Sequence, residues 1–360
     1  MPERVRKLLG MAAFCLLTLG SAHAAEGPFH KGDRVAFVGS SSTHIGVWPK
    51  TVEFLLRTRH PELDLTFARF STGGGTFGTG LEHFDEWLSD LKPNVVIYNY
   101  GANDAGAGRE GLPRFLDEMT QAVQRAEALG ARVVLVTPQA ADARKAGASN
   151  AAKRALYAET MLSFGRAQGW TVIDVHHPID TLQRANESLD PAFSILKDTI
   201  HLTDPAYVAW GFYAYDGLNL PFVRSDAVLK GDGTVLAHEN CTIEDINASD
   251  GRLTFTRADS VLPILPPVDL PPRLSVPLEA HSLYLLTVTD LPAGDYEILC
   301  EDKPIGVIDS KTLADGINLN SLLLDQGHLA PWQIEATDFW DGNDLDQIGK
   351  TKWRFEVRKQ

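Results

Sequence analysis

Arg34-Val35-Ala36-Phe37-Val38-Gly39-Ser40-Ser41-Ser42-Thr43 is the stretch on which the reading of this chain turns. Four consecutive apolar residues suit a strand buried on both faces, as in a parallel sheet covered by helices. The glycine and hydroxyl residues that follow suit a tight strand-to-helix turn. The same alternation recurs downstream. Strands read at Arg34–Val38, Leu65–Arg69, Val95–Asn99, Arg132–Thr137 and Thr171–Val175. Between them, Pro113–Leu129 repeats Phe115, Met119, Val123 and Ala126 at helical spacing and stops at Gly130, and Asn150–Gln168 stops at Gly169. Such alternation predicts an α/β fold, with one parallel sheet between two layers of helices.

The texture changes after about Leu220. Short β-rich runs such as Arg252–Thr256 and Leu283–Val288 appear, and Pro292-Ala293-Gly294-Asp295 reads as a hairpin turn before Tyr296–Cys300. The proline-dense stretch Leu262–Pro277 suits neither a central strand nor a helix. We expect an α/β domain over residues 25–222 and a smaller β-rich module with a tail over 223–360, the tail around Trp332–Trp340 being helical and packing back on the first domain.

The first 24 residues read as a secretory signal: Arg4, Arg6 and Lys7, then an apolar run from Leu8 to Leu19 too short to span a bilayer, then Ala22-His23-Ala24 as a cleavage site. Cleavage would leave 30 basic and 46 acidic side chains, a formal charge of −16. That surface repels phosphate backbones and anionic lipid, so no nucleic acid and no membrane insertion after cleavage are expected. The expected location is periplasmic or extracellular. There Cys241 and Cys300, the cysteines left after cleavage, are either bridged or two separate buried thiols. No Cys/His cluster has zinc-ligand spacing, and no motif implies a metal or organic cofactor.

Four blocks carry chemistry. Gly39-Ser40-Ser41-Ser42-Thr43 puts a serine at the carboxyl end of the first strand, where open α/β sheets bind ligands, beside a helix start whose N–H groups face a developing oxyanion. A plainer use of the same serines is to cap the helix. Ser71-Thr72-Gly73-Gly74-Gly75-Thr76 lets the backbone approach a ligand, or is simply a turn. Gly101-Ala102-Asn103-Asp104 follows a central strand and can aim an amide at an oxyanion. Asp198-Thr199-Ile200-His201 precedes Asp204 as an N-cap and Pro205 as a first helical residue, which holds the pair against a helix. His44, His176 and His177 read as structural, and Trp48 and Trp87 as packing residues more readily than as sugar-stacking ones.

In this order the four blocks resemble those of the SGNH hydrolases, also called the GDSL family of esterases and lipases, over about residues 33–222. The resemblance implies a flavodoxin-like doubly wound sheet. It implies Ser41 as nucleophile, His201 as base, Asp198 as its acid, and an oxyanion hole from the N–H groups of Ser41 and Gly73 and the amide of Asn103. The C-terminal module is similar to the β-rich extension of some exported bacterial members. The family has Asp where this chain has Ser40, Ser42 competes with Ser41 for the register, and Gly74 and Gly75 compete with Gly73. The expected function is an exported serine ester hydrolase that removes short acyl groups, acetyl above all, from an acylated glycan or other small ester. An acyltransferase on the same residues, or a glycan-binding protein whose site has decayed at Ser40, are the alternatives.

Overall fold

The structure, a computed structural model, describes residues 27–261, 283–325 and 352–360. Strand β1 (Arg34–Gly39) carries the opening apolar run, and Val35, Ala36, Phe37 and Val38 are all buried. It pairs in parallel with β2 (Thr66–Ser71) on one side and β3 (Val95–Asn99) on the other. Beyond β3 lie β4 (Arg132–Val136) and β5 (Thr171–Ile173), also parallel. The order β2-β1-β3-β4-β5 is the doubly wound, flavodoxin-like one. Its reversal falls between β1 and β3, so a crevice opens at their carboxyl ends.

Helices cover both faces, which is why the inner strands β1 and β3 read as unbroken apolar runs. On one face α1 (Ser41–Ile45) leads into α2 (Val47–Arg59), which packs with α7 (His176–Glu187) and α8 (Asp204–Asp216) over a core holding Phe37, Trp48, Leu55, Leu182 and Trp210. Trp48 is fully buried and stacks on Trp210 at 5.4 Å. On the other face α3 (Phe77–Glu82), α4 (Leu112–Ala128) and α6 (Ala148–Ala167) cover Val96, Tyr98, Met119, Val123 and Met161. A short helix α5 (Ala143–Ala146) precedes α6. The expected strands and helices agree with these bounds to within two residues. One cap does not: Thr203, not Asp204, caps α8, its hydroxyl accepting from the Ala206 N–H, so Asp204 and Pro205 fill the first two helical positions.

After α8 the chain enters two β-sheets. One has β6 (Ser225–Lys230), β7 (Val235–Glu239), β10 (Tyr284–Thr289) and β13 (Ile317–Asn318) in the order β13-β10-β6-β7. The other has β8 (Cys241–Ser249), β9 (Arg252–Asp259), β11 (Asp295–Cys300), β12 (Lys303–Asp309) and β14 (Lys352–Lys359) in the order β12-β11-β14-β9-β8. Inward residues of both sheets, including Leu229, Leu286 and Val288 from the first and Phe255, Ile298 and Phe355 from the second, share one core. A buried polar knot ties the sheets across it. The Arg257 guanidinium donates to Asp259 at 2.9 Å and to Ser225 at 2.7 Å, and the Tyr284 hydroxyl donates to Asp259.

Two expectations change here, and one open choice is decided. Pro292–Asp295 is not a hairpin turn, because β10 and β11 lie in different sheets and the segment crosses between them. Residues 352–359 are not a peripheral tail but a strand between β9 and β11. Cys241 and Cys300 are two separate buried thiols with no disulfide between them, the second of the two readings. The signal segment, the proline-dense stretch and the Trp332–Trp340 tail lie outside the described residues. Among the described residues no helix is long and apolar enough to cross a membrane, and no group of His, Cys, Asp and Glu is placed to hold a metal ion.

Candidate active site

Gly39 closes β1 where no larger residue fits: a Cβ there would stand 2.2 Å from Thr43 Oγ1 and 2.7 Å from the Asn99 carbonyl. This close approach lets α1 begin at once, with Ser40 as its extended N-cap and Ser41 as its first residue. The Ser40 side chain makes no capping bond, and its carbonyl receives the His44 N–H at 2.9 Å. Ser41 and Ser42 then part company. Ser42 is 2% exposed, and its oxygen accepts from the Tyr207 hydroxyl of α8 at 3.3 Å. Ser41 Oγ lies 3.1 Å from His201 Nε2.

His201 sits on a tight loop pinned at both ends. Leu196 and Leu202 bridge across its base, both fully buried, and the Thr203 N–H donates to Ile195 O at 2.8 Å. Helices from both faces grip it further. The Gln183 side chain of α7 accepts from the Ile195 N–H at 2.9 Å, Lys145 of α5 donates to Leu196 O, and Arg154 of α6 reaches Ile200 O at 3.4 Å. The apex therefore presents Asp198 and His201 in fixed relation.

Asp198 Oδ1 accepts the backbone N–H groups of Ile200 and His201, each at 2.7 Å, and Oδ2 lies 2.9 Å from His201 Nδ1. These donors, the His201 N–H first among them, hold its carboxyl well below the usual carboxylate range, although its side chain is 49% exposed. An ionised Asp198 requires the ring proton of His201 on Nδ1, which leaves Nε2 free to accept the Ser41 hydroxyl proton. The arrangement can carry a proton from serine to histidine while the carboxylate steadies the imidazolium.

Two more loops complete the crevice at the ends of β2 and β3. Thr72–Gly75 is a turn closed by the Gly75 N–H donating to Thr72 O at 3.0 Å, with Gly74 at φ +72°. That engagement removes the Gly75 N–H from contention as an oxyanion donor. Gly73 is exposed on the same turn. The Asn103 amide donates to Gly75 O at 2.9 Å, so the turn holds its orientation. A cavity of about 140 Å³ adjoins it, with Thr76, Asn103, Asp104, Arg114 and Glu118 in its lining.

The site thus brings Ser41, His201 and Asp198 into one hydrogen-bonded line and links the glycine and asparagine loops to each other. His44 is exposed beside it, 3.4 Å from Ser71 Oγ. His176 is buried against Pro138 O, and His177 pairs with Asp174 and Glu159 away from the line. Trp87 lies between His83 and Phe70, stacked on both, so neither indole reads as a sugar platform. Sequence reasoning missed Gln183, Arg154 and Tyr207, whose partners lie 12, 46 and 165 residues away; no local pattern marks them.

Comparison with known proteins agrees with this geometry. Residues 37–209, which hold every residue of the line and both loops, match the GDSL-like lipase/acylhydrolase family. Among solved structures, BT4096, a gut microbial diltiazem-metabolizing enzyme, is similar over 93% of this chain and 99% of its own, with a TM-score of 0.72 and 18% identity. Axe2, an acetylxylan esterase from Geobacillus stearothermophilus, covers 55% of this chain and 99% of its own, with a TM-score of 0.46 and 16% identity. LAE5, an alpha/beta hydrolase from the metagenome of Lake Arreo, Spain, covers 53% and 97%, with a TM-score of 0.45 and 19% identity. At such identities likeness speaks to fold alone. No curated protein matches the chain. Residues 37–209 are thus a GDSL-like lipase/acylhydrolase domain, and the chain is a carboxylic ester hydrolase.

Proposed function

We propose that this esterase is an exported serine hydrolase that removes short acyl groups, acetyl first, from carbohydrate. Ser41 attacks the ester carbonyl while His201 takes its proton and then returns it to the leaving alcohol; Asp198 orients the ring. The Ser41 and Gly73 N–H groups and the Asn103 amide hold the oxyanion. Water, activated by the same histidine, releases the acid from the acyl-enzyme.

The observation that carries this reading is the unbroken line Ser41 Oγ–His201–Asp198, at 3.1 and 2.9 Å. The decayed-site alternative has that line against it. In favour of a short acyl group are the exposure of His201, 27%, and the small size of the adjoining cavity, about 140 Å³, which leaves little room for a long alkyl chain. The acidic balance of the chain, −14, favours a neutral glycan over an anionic one. The leader-like segment at 1–24 supports export.

Initial rates on a series of acyl esters of increasing chain length, followed by acetylated oligosaccharides, test the proposal. The expected result is a maximum kcat/KM at acetyl, acetate release from the oligosaccharides, and loss of both in Ser41→Ala. A maximum at long acyl chains would overturn the substrate assignment. Activity retained in Ser41→Ala would overturn the mechanism.

A further inference from the structure

Asp104, the last residue of the Gly101–Asp104 block, has no place in the chemistry above, yet its carboxylate joins two loops. Its side chain is 9% exposed. Oδ2 accepts the Gly101 N–H at 2.9 Å, within the loop that carries Asn103. Oδ1 accepts the Phe77 N–H at 3.3 Å, at the start of α3 and directly after the turn that carries Gly73. A second bond runs beside it, from the Asn103 amide to Gly75 O. Side chains of one loop thus grip the other at two points, one of which is Asn103 itself.

Resting on the serine mechanism proposed above, the geometry points to Asp104 as a positioning residue that clamps the glycine and asparagine loops together, so that the oxyanion donors Gly73 and Asn103 keep a fixed separation. The clamp needs two acceptor oxygens, because each carboxylate oxygen receives a backbone N–H. A protonated carboxyl or an asparagine side chain offers one acceptor and turns a donor toward the other N–H. A preorganised hole acts mainly in the transition state, so loosening it lowers kcat and leaves KM nearly untouched.

The surroundings make this clamp sensitive to pH. Burial pushes the Asp104 carboxyl up to about 6, against the Gly101, Phe77 and Asp104 N–H groups that pull it down. The titratable groups facing it are Tyr100 from the end of β3, Glu118 and Arg114 from α4, and Tyr157 from α6. As pH falls through about 6 the carboxyl gains a proton and one of its two bonds is lost. The acid limb of the rate profile then carries the proton of the clamp in addition to any that the serine mechanism itself requires.

The test compares wild type, Asp104→Asn and Ser41→Ala on a short acetyl ester from pH 4.5 to 8.5, with active enzyme counted by acylation burst and melting followed in parallel. We expect Asp104→Asn to lose about 10- to 100-fold in kcat with KM within threefold. Its acid limb in kcat/KM should be shallower than that of wild type by one proton. Asp104→Asn within twofold of wild-type kcat, or with a rate loss matched by loss of active folded enzyme, overturns the clamp. If Asp104→Asn does not fold, the wild-type profile decides alone, and a one-proton acid limb overturns the proposal. Ser41→Ala separates the two levels: activity retained there removes the serine mechanism, whereas loss there beside an unaffected Asp104→Asn removes only the clamp.

Discussion

Two loops at the same end of the parallel sheet each carry an aspartate, and their surroundings drive the two carboxyls in opposite directions. Asp198 stands half in solvent, and backbone N–H groups with the His201 ring hold it ionised far into acid. Asp104 lies in the protein interior, where burial outweighs its N–H donors and lifts it to about 6. Both carboxylates accept backbone N–H groups, so burial decides which is the weaker acid: Asp104 loses the hydration that Asp198 keeps. The difference suits two tasks. In the proposed mechanism one acid has to stay charged through the catalytic cycle to steady a histidine. The other makes only structural bonds, and can sit near its own titration point.

The contrast can be broken at several places, with effects of decreasing size. Ser41→Ala removes the group both loops serve and should cost four orders of magnitude or more in kcat, read as initial rates on a short acetyl ester. Asp198→Ala takes away the charge behind His201 and is expected to lower kcat about 10²–10⁴-fold while leaving the melting temperature within a few degrees. Asn103→Ala deletes a proposed oxyanion donor and should cost about 10²–10³-fold in kcat with KM little changed, from full saturation curves. Smaller again is the effect of pH on stability. Because the folded carboxyl of Asp104 is raised, its contribution falls as pH rises from the unfolded value through about 6, so wild type should lose about 1–1.5 kcal/mol more than Asp104→Asn between pH 5 and pH 8 in denaturant titrations. Asp198, lowered instead, adds no such term in that window. Ser42→Ala should leave kcat within about threefold and cost about 1 kcal/mol of stability through the lost Tyr207 bond, since its oxygen faces the core. A large rate loss in Ser42→Ala with little in Ser41→Ala would reverse the register.

How far these features were legible follows from the distance over which each is decided. The five parallel strands and the helices α4 and α6 declare themselves through local periodicity, and the doubly wound order came with the family resemblance. The four chemical blocks were legible for the same reason, each lying within six residues. The family spacing points to Ser41 as the nucleophile, but what turns Ser42 away was not legible, because Tyr207 sits 165 residues beyond it. Nor was the part played by Asp104, whose partner Phe77 lies 27 residues earlier and offers only a backbone N–H, which no residue type advertises. In the β-rich region a local signal misled: turn residues before Tyr296 suggest a hairpin, but turn chemistry does not say which sheet receives the next strand. Residues 352–359 were passed over because their partner, β9, ends about a hundred positions upstream.

That late strand has a bearing on how the protein comes into being. β14 stands between β9 and β11, so the second sheet exists as two unjoined pieces until residue 359 has been made. The α/β region finishes its own sheet at Ile173 and its last helix at Asp216, well before that point. During synthesis the first region can mature while the second waits as unpaired edges with an open core. Any passage through a membrane that requires an unfolded chain finds the β-rich part still open until the final strand emerges. Pairing of β14 into that gap is also what covers the edges of β9 and β11 against pairing with another molecule.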